Sequence, residues 1–523
     1  MGKVRNILFI MADQLRADYL SCYGHPHLKT PNLDGLARKG VRFDRAYIQS
    51  PVCGPSRMSF YTGRTAFSHG ATWNFVPLPV GEVTLGDHLS AHGIRTALVG
   101  KTHMMPDIEG MERVGLSPDS GRGLDISQCG FEPYERDDGE HPHPKVDPDL
   151  AYNHYLREQG YDVSNPWNDY ANAAEGPDGE VLEGWYMRNA PLAARVAEEH
   201  SETAYMTDRA LQFLDEQGDA PWCLHLSYIK PHWPYIAPAP YHAMYGHNQV
   251  LPAVRDERER KDPHPVYGAI MNHKAGRAFS RQEVRDAVIP AYMGLIKQID
   301  DHLGRVFRYL DEHGRMDDTM IVFTSDHGDY LGDHWLGEKE FFHEQSVRVP
   351  MIVYDPDRNA DSTRGNVDSR FIEGIDLVPT FLEACGIDIP DHIVEGKSAL
   401  WRLRGGTGEV HDHAYSELDY AFYQARVELG VGPHEARLFM VRTEDWKYVH
   451  ALGFAPLLFD LRNDPSEFVD LGRDPGYAAI RKDLHDTIFE RIARRKNRVA
   501  ITTKKVLDRT DGAHRHGVLI GYW

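Results

Sequence analysis

Asn6-Ile7-Leu8-Phe9-Ile10-Met11-Ala12-Asp13-Gln14 is an apolar run that ends abruptly on an acid and an amide. A short continuous run of this kind reads as a strand buried on both faces. The pattern returns at Arg95 to Val99 before Gly100-Lys101, at Trp222 to Tyr228 before Lys230-Pro231-His232, and at Met320 to Thr324 before Asp326. Helical patterns lie between, such as Thr84 to His92 ended by Gly93 and Tyr292 to His313 ended by Gly314. Strand and helix alternate, so the fold class is α/β. Open α/β sheets bind ligands beyond the carboxyl ends of their strands, so the polar residues at these four exits are expected to meet in one crevice.

The 523 residues are 41% hydrophobic and 26% charged, and 58 basic against 78 acidic residues leave a net charge of -20. That is a soluble globular composition with a sizeable core. The acidic excess argues against nucleic acid as a partner, so a local cluster of cations must draw any anionic substrate. The first apolar run is too short for a secretory or membrane segment, and no export signal is visible. Cys22, Cys53, Cys129, Cys223 and Cys385 are odd in number and widely spaced, which argues against a disulfide framework or a cysteine zinc site. A cytoplasmic protein without membrane contact is expected.

Two stretches rich in Pro, Gly, His, Asp and Tyr, about 106–191 and 236–280, read as long excursions from a catalytic domain spanning 1–410. Residues 411–523 read as a smaller C-terminal α+β domain. Its strands are Trp446 to Val449 and Leu457 to Leu461, and its helix is Tyr477 to Lys496. The tail, His514 to Trp523, is expected to contact another subunit of a dimer or tetramer.

Pro51-Val52-Cys53-Gly54-Pro55-Ser56-Arg57 is the most specific run in the chain. Followed by Thr62-Gly63-Arg64, it resembles the signature of the type I sulfatases in the alkaline phosphatase superfamily. The resemblance extends from Asn6 to about Leu471. It implies an alkaline-phosphatase-like fold, with a large central mixed, mostly parallel sheet flanked by helices. It also implies that a formylglycine-generating maturation enzyme oxidises Cys53 to formylglycine, an aldehyde that sits as its hydrate. One hydroxyl, held on a metal, would attack sulfur; the other would lose its proton and expel the sulfate. A serine ester would need water to attack a crowded, poorly electrophilic sulfate, whereas the second hydroxyl makes breakdown internal. Arg57, by the same resemblance, orients the hydrate.

Asp13 leaves the first strand where sulfatases hold an acidic metal pair, although the second position here is Gln14. Ser325-Asp326-His327-Gly328-Asp329 resembles the second metal segment, with His327 where many sulfatases have Asn. The resemblance therefore implies one divalent ion on Asp13, Gln14, Cys53, Asp326 and His327. Oxygen ligands favour Ca2+, and an imidazole shifts preference toward Mn2+. Gly100-Lys101-Thr102-His103 is no phosphate-binding P-loop, because Arg95 stands where its first glycine must be. The family reading has Lys101 contacting sulfate and His103 assisting proton removal. His232, in Lys230-Pro231-His232-Trp233-Pro234, would donate a proton or a hydrogen bond to the departing oxygen, and Lys339 would complete the cationic ring. His343-Glu344-Gln345-Ser346-Val347 opens like a zinc-protease helix but lacks the closing histidine.

Gln14, His327, Asn74 and the long excursions resemble the phosphonate monoester hydrolase branch of the superfamily. That branch has an Asn at the distance of Asn74 beyond the nucleophile, which makes Asn74 a substrate-binding candidate beside Lys101, His232 and Lys339. It carries neutral Tyr and Thr where this chain has Lys101 and His103. Three free sulfate oxygens can meet several point donors, whereas a diester must fit a second organic group. The expected activity is arylsulfatase-like hydrolysis of a small sulfate monoester, with promiscuity toward phosphonate monoesters and phosphodiesters. The alternatives are a phosphonate monoester hydrolase and a noncatalytic binder of sulfate ligands, in which Cys53 stays a thiol.

Overall fold

The computed structural model describes residues 4–139, 150–408, 410–521 and 523. Its strands among these residues are β1 (Asn6–Asp13), β2 (Val41–Tyr47), β3 (Arg95–Gly100), β4 (Glu132–Arg136), β5 (Ala173–Glu175), β6 (Val181–Glu183), β7 (Trp222–Pro231), β8 (Thr319–Thr324), β9 (Arg348–Tyr354), β10 (Val367–Asp368), β11 (Ile372–Glu373), β12 (Ala414–Asp419), β13 (Arg437–Arg442), β14 (Trp446–Ala451) and β15 (Leu457–Asp460). The main sheet runs β10-β2-β9-β8-β1-β7-β3-β4, with β11 also paired to β2. Pairing is parallel except where β9 meets β2 and β8. β12 to β15 form a separate antiparallel sheet in the C-terminal domain.

Every residue of β1 is buried. Ile7, Phe9 and Met11 enter one apolar core, with Met58, Phe60, Val378 and Phe381. Leu8, Ile10 and Ala12 enter another, with Phe213, Val288, Ile289 and Ile296. A two-residue period thus feeds helices on both faces of the sheet, which is why no polar residue interrupts the run before the strand exit. Near that exit the β1–β7 register slips, Ala12 facing Tyr228 and Asp13 facing Pro231. Such a bulge re-aims the side chains that follow it.

Two expectations change. The long helix begins at Gln282, not Tyr292, and carries Pro290 in its interior. Val284, Val288 and Ile289 are buried in the core, and this packing extends the helix through a residue that normally ends one. The first excursion also returns to the sheet, because Glu132-Pro133-Tyr134-Glu135-Arg136 is its edge strand β4, parallel to β3. Charged residues and a proline suit an edge and hide the strand from an apolar-run reading. The centre of that excursion, 140–149, lies outside the described residues. No helix of the described residues is long and apolar enough to cross a membrane. Near the end of the tail, Leu519, Ile520 and Trp523 are exposed.

Candidate active site

The four strand exits converge. Asp13 ends β1, Lys101 follows β3, His232 follows β7, and Asp326 and His327 follow β8. Cys53 opens the helix Cys53–Thr62, all ten residues of which are buried and which stops at Gly63 with φ 67°. Pro55 fits the first turn, where its missing N–H costs no helical bond. Ser56 Oγ donates to the Asp326 carbonyl at 2.6 Å, joining this helix to the β8 exit. Gly100 has φ 106°, and a Cβ there would lie 1.9 Å from the Ser227 carbonyl oxygen, so only glycine lets the chain turn into Lys101 so close to β7.

Arg57 is the centre of the frame and is fully buried. Its Nε donates to Asp326 Oδ2 at 2.7 Å, Nη1 to the Lys101 carbonyl at 2.7 Å and Ser227 Oγ at 2.8 Å, and Nη2 to Asp13 Oδ2 at 3.2 Å. Lys101 Nζ lies 2.8 Å from the same Asp13 oxygen. Burial alone would raise the Asp13 carboxyl, but Lys101, His232, Arg57 and His327 outweigh it and hold the group well below its ordinary value. Asp13 is therefore a carboxylate at neutral pH.

The donor set fits a divalent cation. Asp13 Oδ1 is buried and accepts no hydrogen bond among the described residues. His327 Nδ1 donates to the Gly328 carbonyl at 2.9 Å, so its Nε2 lone pair faces Asp13 Oδ1 at 3.7 Å, Asp326 Oδ2 at 3.8 Å and Cys53 Sγ at 3.0 Å. Such a backbone bond fixes the tautomer that can ligate a metal. Asp13, Cys53, Asp326 and His327 each offer a ligand atom within 4.8 Å of the others. Gln14, with φ 64°, gives its Nε2 to Tyr235 Oη at 3.1 Å and Asp329 Oδ2 at 2.5 Å, which turns its Oε1 toward Lys339.

Nothing in the sequence assigns Asp329 or Tyr235 a part in holding Gln14; Asp329 ends the Ser325–Asp329 run, and Tyr235 belongs to the aromatic run Trp233 to Tyr235, which reads as a candidate substrate wall. Asp329→Asn sets an amide against the Gln14 amide. It is expected to weaken Mn2+ affinity about 10- to 100-fold in titrations of chelator-treated protein. Unchanged affinity would remove Gln14 from the ligand set.

Lys339 Nζ donates to Cys53 Sγ at 3.1 Å and Gln14 Oε1 at 3.3 Å, and lies 3.3 Å from His232 Nε2. His232 Nδ1 donates to the Trp233 carbonyl at 2.8 Å, leaving Nε2 to accept from Lys339. Burial lowers His232 well below its ordinary value, Lys101 and Lys339 adding to burial and Asp13 opposing it. Burial also opposes the charge on Lys339, but Cys53 and Asp13 outweigh it and raise the group. The pair thus holds its shared proton on Lys339.

His103 stands at φ 53° with its backbone N–H on Asp138 Oδ1 at 3.0 Å, and its Nδ1 has no partner among the described residues. Burial and Lys101 keep it well below its ordinary value, hence neutral and able to accept a proton. Burial pushes the Cys53 thiol up to about 12. Asn74 Oδ1 accepts from the Gly54 N–H at 2.8 Å and fastens the start of the nucleophile helix, which leaves the amide Nδ2 as a donor.

Two further buried trios are poor cation sites. His334 and His343 stack at 3.9 Å and 7°, and His334 Nδ1 is already bonded to Glu259 at 2.6 Å, so the ring lone pairs run parallel instead of meeting at one ion. In the other, His411 bonds Asp376 at 2.9 Å, and Glu373 pairs with Arg491.

A family model described as Sulfatase matches residues 5–387, and one described as N-sulphoglucosamine sulphohydrolase, C-terminal, matches 332–494. The multifunctional alkaline phosphatase superfamily protein PehA of Trinickia caryophylli is 34% identical over 510 residues, 92% of this chain and 93% of that protein. An arylsulfatase of Clostridium perfringens is 27% identical over 486 residues, 89% and 90% of the two chains. The phosphonate monoester hydrolase of Agrobacterium radiobacter superposes with a TM-score of 0.81 at 29% identity, covering 94% of this chain and 96% of that one. With a match over most of its length, this chain belongs to the sulfatase family, the sulfuric ester hydrolases of the alkaline phosphatase superfamily.

Proposed function

We propose that the protein hydrolyses a small sulfate monoester, arylsulfatase-like in mechanism, with side activity toward phosphonate monoesters and phosphodiesters. The observation that carries this reading is the Lys101 ammonium, buried 2.8 Å from Asp13 beside Cys53, Arg57 and Lys339. A sulfate group with three free oxygens can use each such point donor, and one preorganised donor can contribute about 3 kcal/mol to the transition state.

Asp13, Gln14, Asp326 and His327, with residue 53, would hold one divalent ion, Ca2+ or Mn2+. When bound, it supplies Lewis-acid stabilisation of negative oxygen. Cys53, converted by a maturation enzyme to formylglycine, would supply a hydrated carbonyl whose second hydroxyl allows release without attack by water. Around these groups, Arg57 fixes both carboxylates and Lys101 and Lys339 bind the anion. His103 takes up the proton released on elimination. The His232–Lys339 pair delivers a proton to the leaving oxygen, the lysine holding it until the anion beside His232 raises the imidazole's affinity. Cytoplasmic location and assembly through the C-terminal tail, as a dimer or tetramer, complete the reading.

A second reading, phosphonate monoester hydrolysis as the main activity, is favoured by the backbone likeness to the Agrobacterium radiobacter enzyme and to SpPMH of Silicibacter pomeroyi, TM-score 0.82 at 28% identity. One experiment separates the two: kcat/KM for 4-nitrophenyl sulfate, a phosphonate monoester and a phosphodiester, on protein whose residue 53 has been characterised by mass spectrometry. A higher value for the phosphonate overturns the sulfate reading. His232→Ala is expected to slow esters of poor leaving groups at least about tenfold more than 4-nitrophenyl sulfate, as required of a proton donor. Equal losses would contradict that role.

A further inference from the structure

The loop that delivers Lys339 also carries Glu338 and Glu340, both half-buried, with φ of 61° and 83°. Non-glycine residues held in this region on both sides of one lysine mark a backbone under constraint at a functional position. The Glu340 N–H donates to the Pro51 carbonyl at 3.1 Å, pinning the loop two residues before Cys53. Burial and the neighbouring Glu338 raise the Glu340 carboxyl to about 8, Lys339 opposing them, so Glu340 holds a proton near neutral pH that a nearby positive charge would draw off. Among the described residues, no ion pair claims either carboxylate, and the Lys339 hydrogen bonds go to Cys53, Gln14 and His232.

Aromatic rings stand next to these acids. The Tyr423 hydroxyl lies close to the Glu340 carboxyl. The Tyr423 ring lies 6.1 Å from Trp73, and Trp73 stacks on Phe422 at 6.3 Å and 15°. Trp73 precedes Asn74, which holds the Gly54 N–H beside the nucleophile. Phe422 is 62% exposed, so the outer end of this aromatic cluster faces solvent.

Acidic groups beside an anion site oppose an anionic ester unless the same molecule brings positive charge to them, which also favours their ionised form. Aromatic faces attract the same kind of charge. We infer that the alcohol portion of the substrate carries a cationic ammonium centre, held by Glu338 and Glu340 against Trp73, Phe422 and Tyr423, while the ester anion sits on Lys101 and Lys339. This rests on the ester-hydrolase reading above and names its substrate class, a zwitterionic ester.

The test uses two isosteric esters, 4-(trimethylammoniomethyl)phenyl sulfate and 4-neopentylphenyl sulfate, with wild-type protein and the E338Q/E340Q double variant. Any difference in leaving-group acidity cancels when the ratio of kcat/KM values is compared between the two proteins. The double variant is expected to lose at least about tenfold in preference for the cationic ester. A ratio that stays the same within about threefold overturns the inference. A second measurement needs only the wild type. Benzyltrimethylammonium chloride should inhibit hydrolysis of the neutral ester competitively, beyond an equal concentration of sodium chloride; no such inhibition also overturns it. Protein with formylglycine verified at position 53 that hydrolyses neither ester ends the hydrolase reading itself, and this inference with it.

Discussion

Cys53→Ala is expected to lower sulfate-ester turnover by about 10^4-fold or more while leaving divalent-metal affinity within about tenfold. The two effects separate because Asp13, Asp326 and His327 keep their partners when the sulfur is gone: Arg57 and Lys101 hold the acids, and the Gly328 carbonyl holds the imidazole. Turnover with 4-nitrophenyl sulfate and calorimetric titration with Mn2+ measure them. A collapse of metal affinity would make residue 53 the dominant ligand. The thiol itself is a weak candidate for the nucleophile. Burial pushes its pKa up to about 12, so without a bound cation the thiol stays protonated at pH 7. Turnover by protein whose Cys53 peptide is entirely thiol would overturn the formylglycine mechanism. Conversion loses the sulfur and gains an oxygen, a change that mass spectrometry reads directly.

Arg57→Ala is expected to cost about 3–5 kcal/mol of stability in chelator-treated protein, because it leaves two buried carboxylates facing each other without their shared cation. The guanidinium makes four hydrogen bonds, to Asp326, Asp13, Ser227 and the Lys101 carbonyl. Arg57→Lys should recover little, since an ammonium has three donors and no planar fork to span these acceptors. The urea midpoint of unfolding reads the effect. A shift equivalent to less than about 1 kcal/mol would mean that Lys101 alone balances the acids. Bound metal should narrow the difference between wild type and variant, because it supplies the missing positive charge.

The sheet was legible because β1, β3, β7 and β8 announce themselves as apolar runs, and their exits carry the polar residues that converge. β4 was not, since an edge strand with charged residues and a proline lacks that signature. The long helix was half legible, because Pro290 interrupts a pattern that packing in the core restores. Asp13, Cys53, Arg57, Asp326, His327 and Lys339 were within reach through position and motif. Ser227, Asp329, Tyr235 and Asp138 act by holding those groups, and nothing in their spacing records a partner that lies far away in the chain. Nothing in the sequence distinguishes Glu338 and Glu340 from ordinary solvated acids, because the backbone twist that sets their loop beside the site leaves no composition trace.

The nucleophile helix is sealed along its whole length, and Cys53 itself has no accessible surface. Any protein catalyst that must grip this segment to oxidise the thiol can do so only while the chain is still open, before the helix closes over β1 and β8. Timing during synthesis, not affinity for the finished fold, would then decide how much of the population is active. Refolding an unconverted sample in the presence of the oxidising catalyst should rescue it, whereas simply mixing the two native proteins should not.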